Sequence, residues 1–239
     1  YGYFDPEDVK DYCHIGCAEL GIAGKAYTDP MNAFFNFPKI LLLTMQGGYL
    51  AGNQVGLEMA PAETFDGFYE QYKMQVEHFI NEYAETANLA CQFFNEKYKR
   101  PLVSSVISGC IDKAQLADEG GAYFWHKCMN SSGLGTAIDS LVAIYDVVYD
   151  KKLKTMDEFV KILDNDFYGE EAFRLYLVNK LPKYGNGDPM VDGLAKDFVD
   201  FYCAAVSKCK TWNGTPYRPG LYSYYGPSVN YGIKNGSTP

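Results

Sequence analysis

Residues 11–27 read DYCHIGCAELGIAGKAY, a stretch that brings a thiol and a carboxylate close together in the sequence. Cys17 is followed, after one intervening residue, by Glu19. If this segment is extended, alternate side chains fall on one face with Cα atoms about 6.5 Å apart, so one small substrate can touch both groups. The three glycines of the stretch allow the tight, non-helical path of a loop. A buried cysteine ahead of a solvated acid gives the same short pattern, so spacing alone leaves both interpretations open.

The same stretch also contains residues that could bind a metal ion. Cys13, His14 and Cys17 form one cluster at short spacing, but a structural zinc site requires a second pair of ligands. The remaining candidates, Cys203 and Cys209, are six residues apart on a predicted helix and do not share a face. We therefore predict that the chain binds no metal.

The histidines and the known catalytic motifs give little support to a different chemistry. His78 lies within a long amphipathic segment and His126 lies beside a tryptophan, and we interpret both as packed or solvated side chains. The sequence contains no phosphate-binding Gly-Lys-Thr loop, no His-Glu-x-x-His motif and no Gly-x-Ser-x-Gly motif. The usual hydrolase and nucleotide chemistries are therefore disfavoured.

Composition restricts the class of protein and its partners. The 239 residues are 47% hydrophobic and 21% charged, as in a globular protein with a sizeable core, and no run of about 18 apolar residues occurs. The formal net charge of −9 argues against nucleic acid or an anionic membrane as a partner. The seven cysteines are odd in number and scattered, which is typical of reduced thiols. We predict a cytoplasmic protein with a small-molecule substrate.

Hydrophobic periodicity predicts a chain that is rich in helix after residue 60. Apolar residues recur at intervals of three and four, or helix-capping residues occur, in five segments: Phe65–Phe94, Thr136–Tyr149, a helix that begins at Thr155, Glu170–Asn179 and Val191–Lys208. The short apolar runs KILLLTM (residues 39–45) and PLVSSVISGC (residues 101–110) are predicted as buried strands. Strands that alternate with helices indicate an α/β layer or barrel.

Several blocks of the sequence, taken together, resemble one enzyme family. They read GCAELGIAGKAY, AFFNFPKILLLTMQGGY, EGGAYFW, SGLGTAIDSLVAIYDVVYDKKL, NKLPKYGNGDPMVD and YRPGLYSYYG. In this order they resemble the glycyl radical enzymes, the pyruvate formate-lyase-like superfamily, over most of the chain. The resemblance implies part of a ten-stranded α/β barrel, built as two five-stranded halves wrapped in helices. Residues 1–239 would be a single partial barrel domain that carries the cysteine loop.

The resemblance also implies a mechanism and its residues. Cys17 matches the cysteine whose thiyl radical takes a hydrogen atom from the substrate, and Glu19 matches the neighbouring acid and base. The radical-storing glycine lies in a loop similar to Arg-Val-x-Gly-Tyr, which does not occur between Tyr1 and Pro239. The resemblance thus implies a fragment that is inactive alone, a protein-based glycyl radical outside this chain, and a radical S-adenosylmethionine iron–sulfur activating enzyme as partner. The complete protein would be a homodimer.

The branch of the family is indicated by the residues around the cysteine. Pyruvate formate-lyases resemble a variant with two adjacent cysteines, whereas Ala18 follows Cys17 here, which disfavours radical acyl transfer. The Gly-x-x-Gly-Lys pattern at residues 21–25 is similar to that of hydroxyproline dehydratase and of the arylacetate decarboxylases, which act on small carboxylates. We predict Phe34 as a substrate-pocket residue. Core packing is the alternative for Phe34, Phe35 and Phe37, and we expect it for at least two of the three. A non-catalytic interaction domain with an inert Cys17 is the remaining alternative.

Overall fold

A computed structural model describes residues 5–14 and 20–222, except the side chains of residues 29–32. The strands are β1 (Tyr12–His14), β2 (Leu20–Ile22), β3 (Ala26–Asn36), β4 (Tyr49–Leu50), β5 (Asn53–Gln54), β6 (Phe124–Ser132) and β7 (Arg218–Tyr222). The helices are α1 (Pro6–Val9), α2 (Phe37–Met45), α3 (Phe65–Lys97), α4 (Pro101–Ser105), α5 (Leu134–Ile144), α6 (Met156–Asp164), α7 (Glu171–Asn179) and α8 (Pro189–Lys208). A 3₁₀ turn lies at Ala117–Glu119, and a π-helical turn at Tyr145–Asp150 continues α5. The predicted α/β class is confirmed.

Three strands form a parallel sheet in the order β3-β6-β7. The central strand β6 is buried from Trp125 to Ser131, as expected for a strand covered on both faces. The amide of Phe124 donates to the carbonyl oxygen of Lys25 at 3.1 Å, so β3 and β6 begin side by side. Two short antiparallel pairs, β1 with β2 and β4 with β5, complete the pairing among the described strands.

The structure confirms all five helices predicted from periodicity and capping. They are α3, α5 with its π-helical turn, α6, α7 and α8. The largest, α3, continues past the predicted end at Phe94 to Lys97. Its buried residues include Phe68, Tyr72 and Val76, which lie three or four positions apart. The face of α3 that is buried is therefore the one predicted from the spacing of its apolar residues.

The prediction of two buried strands was wrong, because both runs begin with helix-starting residues. Residues 39–45 lie in α2, where the Asn36 side chain accepts a hydrogen bond from the Lys39 amide at 3.0 Å. Pro101 begins α4, and the rest of residues 101–110 forms turns. A short apolar run is compatible with a buried helix as well as with a buried strand. The helix cap and the proline in the first turn therefore determine which of the two forms.

The described residues divide into two compact units. The first comprises those within Tyr1–Phe35, Ile80–Asn130 and Cys203–Tyr222, and the second those within Asn36–Phe79 and Ser131–Tyr202. The first contains almost all of the three-stranded sheet, and the second contains α2, α5, α6 and α7. The prediction of a single partial domain over residues 1–239 stays a prediction.

An aromatic cluster forms the centre of the second unit. The fully buried ring of Phe198 lies 4.9 Å from that of Phe37 in an edge-to-face arrangement and is stacked 5.1 Å from that of Tyr72. The Tyr72 hydroxyl donates to the carbonyl oxygen of Phe37 at 3.1 Å, which satisfies its only polar atom inside the core. Phe37 thus packs in the core of this unit.

None of the helices in the described part of the chain is both long and apolar enough to cross a membrane.

The capping box of α6 has the geometry that the sequence predicts, and we expect it to stabilise the protein. The Glu158 amide donates to the Thr155 hydroxyl at 3.3 Å, and the Thr155 amide donates to the Glu158 carboxylate at 2.7 Å. Thr155→Ala should lower the free energy of unfolding by about 1 kcal/mol, measured by denaturant unfolding of the complete protein. Thr155→Ser retains the accepting oxygen and is the control. Equal stability of the alanine and serine variants would contradict a capping role.

Candidate functional site

The predicted catalytic residues, Cys17 and Glu19, lie outside the described residues. The strands on either side are described: β1 and β2 are antiparallel, with His14 opposite Leu20. Cross-strand pairs have Cα atoms about 5 Å apart, so the two chain positions that flank residues 15–19 are close together. The catalytic assignment of the cysteine and the glutamate stays a prediction.

The chain passes from this strand pair directly into the sheet. The Ala23 amide donates to the carbonyl oxygen of Asp11 at 3.2 Å, and the Lys25 ammonium forms an ion pair with Asp8. The hydrogen bond to Asp8 raises the pKa of Lys25. The carbonyl oxygen of Gly24 accepts from the Ser108 amide at 2.8 Å. These bonds attach the base of the hairpin to the beginning of β3.

One face of the sheet lies against the second half of α3. The Phe35 ring is edge-to-face with Tyr83, with 5.9 Å between the ring centroids. Tyr217, the residue just before β7, is fully buried, and its hydroxyl donates to the Asn88 side chain of α3 at 3.1 Å. Both contacts define the helix side of the sheet.

The start of β3 is held on this same side. The Tyr27 hydroxyl donates to the Asp118 carboxylate at 2.9 Å, and the Asn95 side chain of α3 donates to the backbone oxygen of Asp118 at 3.4 Å. Side chains alternate along a strand, and both Tyr27 and Phe35 face the helix. Thr28 and Phe34 therefore face the opposite side.

Three polar residues, one from each strand, form a row across this opposite face. Because Phe124 bonds to Lys25, His126 on β6 stands opposite Thr28 on β3. Arg218 at the start of β7 lies on the same face, since it follows Tyr217 on the helix side, and its charge reaches His126. We call Thr28, His126 and Arg218 the polar row.

The electrostatics of the polar row favour hydrogen-bond donation. Burial, and then the positive charge of Arg218, lower the pKa of His126 to about 4, so this imidazole is neutral at pH 7 and carries one N–H donor. The Thr28 hydroxyl is buried and has no hydrogen-bond partner among the described residues. Burial of a hydroxyl without a hydrogen-bond partner costs free energy, so Thr28 contributes an unsatisfied polar group to this face.

A second row, formed by Phe34, Asn130 and Tyr222, lies nearer the carboxyl ends of the strands. The rings of Phe34 and Tyr222 contact edge-to-face across the central strand, with centroids 5.7 Å apart. The Asn130 side chain is 1% exposed and lies over Gly220, where an added Cβ would be 2.0 Å from its Oδ1 atom. A glycine at position 220 is therefore required to seat the amide. We call these three residues the aromatic row.

The predicted phenylalanines separate into two groups. Phe35 and Phe37 are buried in the core, in agreement with the expectation that at least two of the three phenylalanines are core residues. Phe34 is half-buried and lies on the face away from the helix, in the aromatic row. Its role in a substrate pocket stays a prediction.

Sequence reasoning missed most of both rows. Thr28, Arg218, Asn130 and Tyr222 were not candidates, and His126 was interpreted as packed or solvated. His126 is indeed packed, at 7% exposed. The sequence of β6 carries no alternating pattern that could have indicated a functional face, because its polar residues stand next to each other at positions 126–127 and 130–132.

The described part of the chain also bears on metal and disulfide sites and contains a surface hollow. There, no three His, Cys, Asp or Glu side chains are grouped closely enough to hold a metal ion, and no disulfide joins two of the cysteines. A shallow hollow of about 430 Å³ lies beside α8 and is lined in part by Tyr184, Asp192 and Lys196. The hollow shares no residue with either row.

The match to a family model covers nearly the whole chain. The model of the pyruvate formate lyase-like proteins matches residues 2–231. The chain belongs to this family. Family membership confirms the resemblance to glycyl radical enzymes that the sequence blocks carry.

Three curated proteins whose names state their reactions are similar to this chain. Trans-4-hydroxy-L-proline dehydratase of Clostridioides difficile is 34% identical over 218 residues, 89% of this chain and 27% of that protein. (2S)-3-Sulfopropanediol dehydratase of Klebsiella oxytoca is 32% identical over 223 residues, 91% of this chain and 27% of that protein. Indoleacetate decarboxylase of Tractidigestivibacter scatoligenes is 24% identical over 262 aligned positions, 98% of this chain and 29% of that protein. The chain thus spans little more than a quarter of these relatives.

A solved structure confirms the fold. The glycerol-bound form of the B12-independent glycerol dehydratase from Clostridium butyricum has a TM-score of 0.82 and 32% sequence identity, covering 92% of this chain and 28% of that one. The described residues correspond to part of a glycyl radical enzyme barrel, as predicted.

Proposed function

We propose that this chain carries the thiyl-forming segment of a glycyl radical lyase that acts on a small carboxylate. The observation that carries the proposal is the 34% identity, over 89% of the chain, to a trans-4-hydroxy-L-proline dehydratase. Because the chain spans 27% of that relative, the activity belongs to the complete polypeptide and not to these residues alone.

In the proposed reaction Cys17 moves a hydrogen atom and Glu19 moves a proton. The sulfur radical of Cys17 takes a hydrogen atom from the carbon next to the hydroxyl-bearing carbon and becomes a thiol. Glu19 protonates the departing hydroxyl, which leaves as water, and recovers a proton from an O–H or N–H at the radical carbon. The product radical then takes the hydrogen atom back from the thiol. The net change is loss of one water molecule.

The family's glycyl radical would supply the unpaired electron, from a glycine outside this chain, after installation by a radical S-adenosylmethionine iron–sulfur enzyme. The described residues suit such chemistry because the central strand β6 is buried from Trp125 to Ser131. A thiyl radical reacts with many C–H bonds, so exclusion of water and oxygen is the protein's contribution. We further propose a homodimeric complete protein in the cytoplasm.

Dehydration is the preferred reaction, and decarboxylation is the second candidate. The two relatives above 30% identity are dehydratases, which supports loss of water. The indoleacetate decarboxylase covers 98% of the chain, and the aromatic row would suit an apolar substrate, which supports loss of carbon dioxide. Acyl transfer is disfavoured, because Ala18 stands where a second cysteine would be needed.

The two reactions are separated by product analysis of the activated protein. The complete polypeptide would be activated anaerobically and incubated with trans-4-hydroxy-L-proline or with indoleacetate. We expect a dehydrated product from the first and no carbon dioxide from the second. Release of carbon dioxide from indoleacetate would instead establish the decarboxylase alternative. No turnover of either substrate, despite a full glycyl radical signal, would contradict the proposed substrate class.

Glu19→Gln is expected to slow the substrate reaction by on the order of 10²–10⁴-fold, because an amide cannot exchange the proton. The glycyl radical should form to the same extent as in the unaltered protein, measured by electron paramagnetic resonance. Glu7→Gln, at an exposed ion pair with Lys10, is the control and should retain full activity. Turnover by the Glu19 variant within about twofold of normal would exclude its role as acid and base.

A further inference from the structure

We propose that Asn186 is a site of spontaneous deamidation, at which the side-chain amide is converted to a carboxylate. This reaction is independent of the proposed function. Asn186 precedes Gly187 in the loop between α7 and α8. The chain contains two further Asn-Gly sequences, one at residues 213–214 and one at residues 235–236, of which the second lies outside the described residues. The pair at 213–214 therefore serves as an internal comparison.

The chemistry of an Asn-Gly sequence needs only water as co-reactant. The backbone nitrogen of the glycine loses its proton and attacks Cγ of the asparagine, because a glycine has no Cβ to hinder the approach. A C–N bond forms, the side-chain nitrogen leaves as ammonia, and a five-membered cyclic imide results. Water then opens either C–N bond of the imide and gives aspartate or isoaspartate. The net change is uptake of one water molecule and release of one ammonia molecule, without oxidation or reduction.

Both reacting groups at residues 186–187 are free to move. Asn186 is exposed, and its side chain forms no hydrogen bond with any residue that the structure describes. The Gly187 amide likewise donates to no group in the described part of the chain. A Cβ added at Gly187 would meet no atom within 4 Å, so the space around the attacking nitrogen is open. Neither group has to break a hydrogen bond before the two approach each other.

The free groups lie between two fixed points of the loop. On one side the Tyr184 amide donates to the Asp139 carboxylate at 2.8 Å. On the other side the Asp188 carboxylate accepts from two amides in the first turn of α8, at 3.0 and 3.2 Å. The two glycines that flank Asn186 have φ angles of +84° and +78°. Because glycine rotates at little steric cost, the peptide around Asn186 can reach the geometry of attack while both fixed points are kept.

The Asn-Gly sequence at residues 213–214 has the opposite environment. Oδ1 of Asn213 accepts from the Thr211 hydroxyl at 2.7 Å and from the Thr215 amide at 3.2 Å. Its Nδ2 atom donates to the carbonyl oxygen of Glu119 at 3.4 Å. The amide of the following glycine donates to the carbonyl oxygen of Thr211 at 2.8 Å. The attacked side chain and the attacking nitrogen are therefore both held, and the reaction requires these hydrogen bonds to break.

The two products of deamidation at position 186 would affect the start of α8 differently. An aspartate there adds a negative charge close to the N-terminus of the helix, where negative charge is favourable. An isoaspartate also lengthens the main chain by one CH₂ group between the fixed points at Tyr184 and Asp188. The hydrogen bonds by which Asp188 caps α8 would then be weakened, since the loop no longer matches the distance it spans.

The test compares the two sites in one preparation of the complete polypeptide. Samples kept at neutral and at mildly alkaline pH would be digested at intervals, and the peptides that contain Asn186 and Asn213 would be quantified by mass spectrometry. In the folded protein we expect Asn186 to deamidate on the order of 10- to 100-fold faster than Asn213, because hydrogen bonds hold the second site. In concentrated urea, where those bonds are lost, the two rates should agree within about threefold.

A substitution at the protected site tests the cause of the difference. Thr211→Val removes one donor to Asn213, and we expect it to accelerate deamidation of Asn213 about 3- to 10-fold while the rate at Asn186 is unchanged. Thr211→Ser retains the hydroxyl and is the matched control. Equal rates at Asn186 and Asn213 in the folded protein would overturn the assignment. Persistence of the Asn186 amide in the folded protein, with conversion in urea, would overturn it as well, because the loop would then be protected in the complete polypeptide.

Discussion

Cys17→Ser in the complete polypeptide is expected to reduce turnover by at least about 10⁴-fold, with no measurable change in folding. A serine hydroxyl cannot take over the hydrogen-atom cycle, because its O–H bond is too strong to be broken and remade at each turnover. The rate would be measured from product formation after anaerobic activation, and folding by circular dichroism. This is the largest effect on activity that we expect from any single substitution in the chain.

The control for this experiment is a second cysteine on the same hairpin. Cys13 is half-buried in β1, and Cys13→Ser should retain activity within about threefold, since Cys13 has no assigned role in the reaction. The glycyl radical signal should be equal in both variants, because the stored radical lies upstream of Cys17. Full activity of the Cys17 variant would support the interaction-domain alternative, in which this thiol is inert.

Phe198→Ala is expected to lower the free energy of unfolding by about 3–5 kcal/mol, the largest loss of stability that we predict. The Phe198 ring is fully buried and contacts the rings of Phe37, Tyr72 and Phe201. Its removal would leave a cavity lined by rigid aromatic rings that cannot collapse into the space. Unfolding would be followed by denaturant titration of the complete polypeptide, with fluorescence and circular dichroism recorded together.

Met190→Ala, in the same helix, provides the comparison. Its side chain is half-exposed, so truncation should cost less than about 1 kcal/mol. A Phe198→Ala effect as small as that of the methionine variant would show that the aromatic cluster is not the centre of this core. A Phe198→Leu variant should fall between the two, because it refills part of the cavity.

The helices could be predicted from the sequence because their signals are local. The repeat of apolar residues in α3 extends over about thirty residues, and only a helix places them all on one side. The start of α6 is given by two residues, Thr155 and Glu158, whose mutual hydrogen bonds need no distant partner. Where a segment's structure depends on its own residues alone, pattern and fold agree.

The strands of the sheet could not be predicted in the same way. β6 buries His126, Lys127, Asn130 and Ser131, so its composition lacks the apolar run that a buried strand normally has. The residues of β3 include a proline and an aspartate, which are depleted in strands. In both strands tertiary pairing outweighs local preference, and the runs that did look apolar, such as residues 39–45, became helix.

The candidate site shows the same difference between local sequence signals and long-range strand pairing. Cys17 and Glu19 could be predicted because they lie two positions apart in a segment that resembles a known family, and their roles stay a prediction. The polar row joins residues 28, 126 and 218, and only the register of the strands brings them together. No local pattern carries that register, so the row becomes evident only in the folded chain.

The strand pair that brackets residues 15–19 makes this segment suitable for transplantation. Because His14 and Leu20 are cross-strand partners, the insert between them begins and ends at nearly the same point in space. A five-residue segment from another branch of the family could be exchanged there while the pairing of β1 with β2 is kept. New reaction types could therefore arise, in evolution or in the laboratory, by replacing this insert while the sheet is kept.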